Sequence, residues 1–460
     1  MNYIIGDNVK IKLPKIFNND TVKEIIFGFF FRSVKLTLES TDKTEITIGN
    51  PDAVPFKGES VYSVSEKGVY VGAKDKSELL VTLFTLLNEM VAENLEQGNV
   101  DIRLPFMQRE FNPLAKKRFI HLVVPPEMTE KRLIKLVKLV GVLGYTHAIL
   151  EFWGSLKFDT LKELSWENKS LSKDQVRNVL GVMRSLGVEP VPMFQHFGHA
   201  SACRLIGGKH VVLDQNPRLQ PLFSSDGWRW NFEKAEVKEL LKSARDELIE
   251  LFGAGEYFHI GFDESFSYPD DDISTKKLCD HLEQTCNDLI VKGRTPILWG
   301  DLYLHEPTVG ISMETGYEGN CESKEKADYM IKRLPKGAVV CDWQYLVKEY
   351  PWKSAEYFKS KGVNYIVCPW SNPDGVRSAV QTIKKLGSQA YLQTTWHYQL
   401  EGDFTAMFLG YYNLFGVNKA LKKADNALNN ATVIRKVCFA DGDYESAGYI
   451  ENEFKITMSR

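Results

Sequence analysis

From Lys117 onward the chain alternates short apolar runs with amphipathic segments, and this alternation limits the fold more than any other feature. The apolar runs Phe119–Val123, His147–Phe152, Glu189–Phe194, Tyr257–Phe262, Thr295–Trp299, Val339–Trp343, Asn364–Cys368 and Ala390–Thr395 read as strands. Between them the periodicity predicts helices over Glu130–Val142, Lys173–Leu186, Glu236–Leu251, Thr275–Lys292, Lys324–Lys332, Ser354–Lys361 and Gly375–Leu386, with Thr405–Lys422 after the last strand. Eight such units predict an α/β architecture, a (β/α)8 TIM barrel, rather than an open doubly wound sheet. Residues 1–113 read as a small α+β domain ahead of it. Its apolar run lies within Ile25–Leu38, its strands at Thr44–Ile48, Val61–Val64 and Gly68–Gly72, and its helix at Ser77–Ala92. Pro105, Asn112 and Pro113 mark a hinge. The barrel is then expected over residues 114–424, and a helical tail over 425–460 that packs on the barrel or mediates association.

Composition excludes several functions. The net charge of −3 leaves no basic footprint for nucleic acid. No apolar run reaches the length of about 18 residues that a membrane span needs. Met1–Pro14 lacks the charged head, apolar core and cleavage site of a signal peptide, so a cytoplasmic location is expected. The seven cysteines include no CxxC pair, which predicts buried reduced thiols and no structural zinc. No metal and no cofactor is expected, and an oligomer is left open.

In such a barrel chemistry collects where strands end. The fourth strand runs into His259-Ile260-Gly261-Phe262-Asp263-Glu264, placing two adjacent carboxylates there. Glycoside hydrolysis uses a carboxyl pair, one to protonate the leaving oxygen and one to manage charge at the sugar carbon. Adjacent residues on an ideal strand face opposite ways, so both enter one pocket only if the strand frays or twists. The other strand ends carry Glu151-Phe152-Trp153, Gln195-His196-Phe197-Gly198-His199, Trp299-Gly300-Asp301, Trp343-Gln344-Tyr345, Pro369-Trp370 and Trp396-His397-Tyr398. Five of the nine tryptophans, 153, 299, 343, 370 and 396, thus follow a strand. Sugars offer flat C–H faces to indoles and hydroxyls to fixed polar groups, so this set suits a carbohydrate. Two other readings stand beside it. His196, His199, His259 and Asp301 could ligate a metal in a metal-dependent hydrolase, and the barrel could be a sugar binder that has lost catalysis.

These motifs resemble glycoside hydrolase family 20, the β-N-acetylhexosaminidases, over residues 60–400. Tyr62–Met90 looks like the small domain preceding that family's barrel, and His259–Glu264 looks like its His-Ile-Gly-Gly-Asp-Glu, with Phe262 for the second Gly. Lys117-Arg118-Phe119 matches the family's sugar-gripping Arg, and Gly198-His199-Ala200 its Gly-His. Trp299, Trp343 and Trp396 fall where the family boxes the acetamido sugar. The resemblance implies that Glu264 is general acid/base, and that Asp263 orients the substrate's own acetamido group as nucleophile. The implied partner is an oligosaccharide or glycoconjugate with a terminal N-acetylhexosamine. The chain departs from the family in three places. Met193-Phe194-Gln195-His196-Phe197 replaces Glu-Ile-Asp-Met-Pro, Trp396-His397-Tyr398 lacks the usual Glu, and Cys368-Pro369-Trp370 lacks the usual Tyr-x-Asp. Glu401 or Tyr345 is expected to fill those gaps.

Overall fold

In the computed structural model the described residues are 1–30, 34–93, 101–126, 128–152, 154–201, 211–264, 268–396, 404–417 and 423–438. Eight parallel strands close into a barrel: Lys117–Val124, His147–Phe152, Glu189–Met193, Tyr257–His259, Thr295–Trp299, Val339–Trp343, Asn364–Cys368 and Ala390–Gln393. The closing pair aligns Lys117 with Ala390, and the first pair aligns Phe119 with His147. Side chains alternate along each strand, so one set per strand fills the interior. That set includes Phe119, Ile149, Val191, Met193, Tyr257, Ile297, Trp299, Cys341, Trp343, Ile366, Cys368 and Leu392.

Helices cover the outside, and their ends follow local chemistry. Ser172 and Gln175 form a capping box on Lys173–Ser185. Asn372 caps Pro373–Leu386, whose Pro373 has the fixed φ suited to a first turn. The fourth strand is shorter than expected, ending at His259 because Gly261 and Phe262 both adopt positive φ. Among the described residues no helix is long and apolar enough to cross a membrane. The six cysteines described are all buried.

The N-terminal part is a small domain of sheets. Lys35–Thr41, Asn8–Pro14, Glu45–Gly49, Gly68–Ala73, Ser60–Ser65 and Met107–Phe111 lie side by side in that order, the first pair parallel and the rest antiparallel. Asn2–Ile5, Asp101–Pro105 and Val91–Glu93 make a second, three-stranded sheet. The helix expected over Ser77–Ala92 ends at Leu87, because Val91 is drawn into this sheet. The apolar run at Ile25–Leu38 divides between the helix Asp20–Phe29 and the strand Lys35–Thr41. The helix expected at Thr405–Lys422 occupies Phe404–Phe415, and 418–422 lie outside the described residues. In the tail, Lys423–Cys438 is a helix packed on both Asp20–Phe29 and the barrel helix Glu130–Val142.

Arg118 corrects one expectation. Phe119 points into the barrel, so its neighbour Arg118 points out, at the end of the strand away from the catalytic face. There it is wholly buried and pairs with Glu78, on the helix Lys76–Leu87, at 2.7 Å. It also donates to the carbonyls of Gly144 at 2.6 Å and Ala115 at 2.9 Å. It is a pin between the small domain and the barrel, not a grip on sugar hydroxyls. Removing one member of a buried ion pair strands the other, at a cost of about 3–5 kcal/mol. Arg118→Met should lower the unfolding free energy by about that amount, and the Arg118→Met/Glu78→Gln double variant should recover part of it. Urea unfolding of the three proteins measures this; equal stability of wild type and Arg118→Met would remove the pin.

Candidate active site

The site grows from the chain reversal after the fourth strand. Gly261, Phe262 and Glu264 have φ of 74°, 72° and 44°. For glycine such a φ is free, but for a side chain it costs on the order of 1–3 kcal/mol. Phe262 therefore stands in a left-handed position where a glycine would sit without strain. Its burial offsets the cost: the ring is fully buried, stacked 5.6 Å from Phe197 and tilted 5.5 Å from His281. A Cβ on Gly261 would lie 1.7 Å from Gln195 Oε1, so a substitution there would displace the Gln195 side chain as well as strain the backbone.

This reversal answers the parity problem of adjacent carboxylates. Asp263 Oδ2 and Glu264 Oε2 lie 3.2 and 3.1 Å from one atom, His199 Nε2. His199 is itself held at φ 53°, and a Cβ on the preceding Gly198 would fall 2.4 Å from the Asp263 carbonyl. Trp228 closes this corner, its ring 4.4 Å from His199 and its Nε1 donating to the Glu264 carbonyl at 2.7 Å. Burial works against a charge on His199, but Asp263 and then Glu264 outweigh it and hold its pKa well above the ordinary range.

Asp301 braces the reversal from the fifth strand. Its Oδ2 accepts from the Glu264 backbone N–H at 2.9 Å and from Asn320 Nδ2 at 2.8 Å. Its Oδ1 accepts from Trp343 Nε1 at 3.1 Å. Burial, then the charge of Asp263, pushes its carboxyl up to about 7, against the pull of those donors.

Aromatic rings line the same face. Trp299 and Trp396 are 5.5 Å apart, and Trp396 Nε1 donates to the Tyr345 hydroxyl at 2.7 Å. Tyr345 lies 5.1 Å from Trp343 and 5.5 Å from Trp370. Beneath them His121 bonds Glu151 at 2.8 Å through Nε2 and faces the Thr395 carbonyl at 3.1 Å through Nδ1. Gln195 donates to the other Glu151 oxygen at 2.8 Å. Several buried polar atoms here, Asp263 Oδ1, His199 Nδ1 and Trp299 Nε1 among them, have no protein partner. Buried polar atoms are nearly always satisfied, so such a group marks where a ligand or water bonds.

The structure thus brings together Glu151, His199, Asp263, Glu264, Trp299, Asp301, Trp343, Tyr345, Trp370 and Trp396. Arg118 stays away, and Trp153, His397, Tyr398 and Glu401 lie outside the described residues. The metal reading loses a ligand: His196 donates from Nδ1 to the Phe194 carbonyl at 2.7 Å and accepts Arg245 at Nε2 at 3.1 Å. Among the described residues no group of three potential ligands could hold a metal ion. Sequence reasoning missed His121, Trp228 and Asn320. Only Trp228 left a signal, as an aromatic residue in a long insertion after the third strand.

No family model matches the sequence, and no curated protein matches it. Solved structures do. The chitobiase of Flavobacterium johnsoniae superposes with a TM-score of 0.65 at 15% identity, over 99% of this chain and 72% of that one. The family 20 β-N-acetylhexosaminidase of Streptomyces coelicolor A3(2) gives 0.63 at 14%, over 96% and 93%. The β-N-acetylhexosaminidase of Bacteroides fragilis gives 0.61 at 14%, over 97% and 94%. The chain has the glycoside hydrolase family 20 fold. At these identities the likeness is one of architecture, and both the barrel and the small sheet domain share in it.

On this scaffold the pair of carboxylates favours the charged form of His199 over the neutral one. An NMR titration should find the His199 imidazole pKa raised above 6.5, and lowered again in Asp263→Asn. An imidazole titrating at or below 6.5 in the wild type would show that the carboxylates do not hold the proton there.

Proposed function

We propose that the protein is a glycoside hydrolase, a retaining, exo-acting β-N-acetylhexosaminidase that releases terminal GlcNAc or GalNAc through an oxazolinium intermediate. One observation carries the reading. Asp263 and Glu264 enter the same aromatic-walled site, and Asp263 keeps one buried oxygen, Oδ1, without a protein partner. An acetamido N–H is a donor suited to that oxygen.

The chemistry follows from the two environments. Glu264, the more exposed of the pair, gives its proton to the glycosidic oxygen as the bond to the anomeric carbon breaks. The acetamido oxygen attacks that carbon from the opposite face, and the sugar closes into an oxazolinium. Asp263 accepts the acetamido N–H and stabilises the positive charge that spreads over the ring. Water then attacks the anomeric carbon, passing its proton to Glu264, and the acetamido group is restored. Two displacements return the original configuration. The wall of Trp299, Trp343 and Trp396 suits the face of one terminal sugar, and supports exo action.

Glu264→Gln should reduce turnover of a disaccharide by roughly 10²–10⁴-fold, and far less for aryl glycosides whose leaving groups need no proton. Equal losses on both would assign Glu264 another role. A 4-nitrophenyl glucoside without the 2-acetamido group should be nearly inert, and a thiazoline analogue of the oxazolinium should inhibit strongly. Asp263→Asn should weaken catalysis and thiazoline binding together. A glycosyl adduct on any carboxylate after reaction with a 2-deoxy-2-fluoro glycoside, read by mass spectrometry, would overturn the acetamido-assisted mechanism.

A further inference from the structure

Glu318 lies on the loop after the fifth barrel strand, and that loop is anchored on two sides. On one, Gln344 accepts the Glu318 backbone N–H at Oε1, 2.8 Å, and donates from Nε2 to the Glu318 carbonyl at 3.1 Å. Gln344 is fixed in turn by Asp342 at 3.1 Å, and Asp342 by Ser354 at 2.9 Å, all three deeply buried. On the other side, Asn320 bonds the backbone and side chain of Asp301 at 2.9 and 2.8 Å, and the same Asp301 oxygen holds the Glu264 N–H. The loop is therefore tied to the carboxylate pair through two shared hydrogen bonds.

The fixed backbone carries a carboxylate that the protein does not pair. Among the described residues the half-buried Glu318 side chain has no hydrogen bond and no ion pair. Burial and the neighbouring charge of Glu264 raise its pKa, as expected for like charges brought together on one face. A pinned, unpartnered acid beside another acid costs free energy and suits a site that receives donors from outside. Exposure gives its direction. The Asp263 side chain is 7% exposed and that of Glu264 25%, so the line from one to the other runs outward from the enclosed sugar site. Glu264 marks the bond that breaks, and the loop of Glu318 is tied to it through Asn320 and Asp301.

We propose that Glu318 is a leaving-group recognition residue, whose carboxylate accepts hydrogen bonds from hydroxyls of the second sugar. The inference rests on the hexosaminidase reading and adds what that enzyme selects on the far side of the bond. A nitrophenyl leaving group offers no such donors and cannot use this contact.

The test compares kcat/KM for diacetylchitobiose and for 4-nitrophenyl N-acetyl-β-glucosaminide in wild type, Glu318→Gln, Glu318→Ala and Gln344→Ala. Loss of a hydrogen bond to a charged acceptor should lower the disaccharide value in Glu318→Ala by about tenfold to a hundredfold. The loss on the aryl substrate should be at least five times smaller. Gln344→Ala, which frees the loop, should shift the same ratio in the same direction. Across aryl leaving groups of rising pKa the Glu318 variants should keep the wild-type slope. Equal losses on both substrates, no loss on either, or a steeper slope would each overturn the assignment. A wild-type protein that cleaves neither substrate would instead overturn the hexosaminidase reading and the inference with it.

Discussion

The site depends on one buried carboxylate and the donors gathered around it. Asp301 takes donors from the backbone of Glu264, from Asn320 and from Trp343, and so ties the fourth strand's reversal to the fifth and sixth strands. Without that tie the chain from Gly261 to Glu264 has little reason to keep three positive φ angles in four residues. Strain of this kind persists where the surroundings over-determine it, and it collects at functional sites. The ring of Phe262 contributes from below and Asp301 from the side. Together they let two neighbouring side chains share one pocket, which a regular strand forbids.

The barrel was legible because alternation at the scale of a whole unit survives local noise. The candidate site was legible because strand ends coincide with chemistry in such a barrel. Trp299, Trp343, Tyr345, Trp370 and Trp396 come from four strands and meet as one wall, as their shared positions implied. Arg118 was not legible. Strands of a parallel barrel are buried on both faces, so the period of two that would tell inside from outside is lost. A shift of one residue decides everything there: Phe119 and His121 face inward, and Arg118 turns to Glu78. His121 itself was hidden for the same reason. Asn320 was hidden because its role comes from a loop returning to Asp301, which no local pattern encodes.

In the small domain the failure was of a different kind. Asn8–Pro14 carries Val9, Ile11 and Leu13 inward and Lys10 and Lys12 outward, a clear period of two. Alternating lysines fit a solvated surface equally well, and this hides the strand in the sequence. The Phe262 substitution is informative in the opposite sense. Read as a motif it is a departure, but as backbone it keeps the glycine conformation and adds an aromatic anchor.

The helix Lys423–Cys438 rests on Asp20–Phe29 as well as on the barrel, with Lys436 over the ring of Phe29 at 5.0 Å. This joins two segments that lie far apart in the sequence. During synthesis the small domain emerges first, and domains generally fold in that order. One flank of its first helix must then wait, uncovered, until the ribosome has passed residue 438. The nascent protein carries an open seam while the whole barrel is made, and that seam is closed by the last helix described.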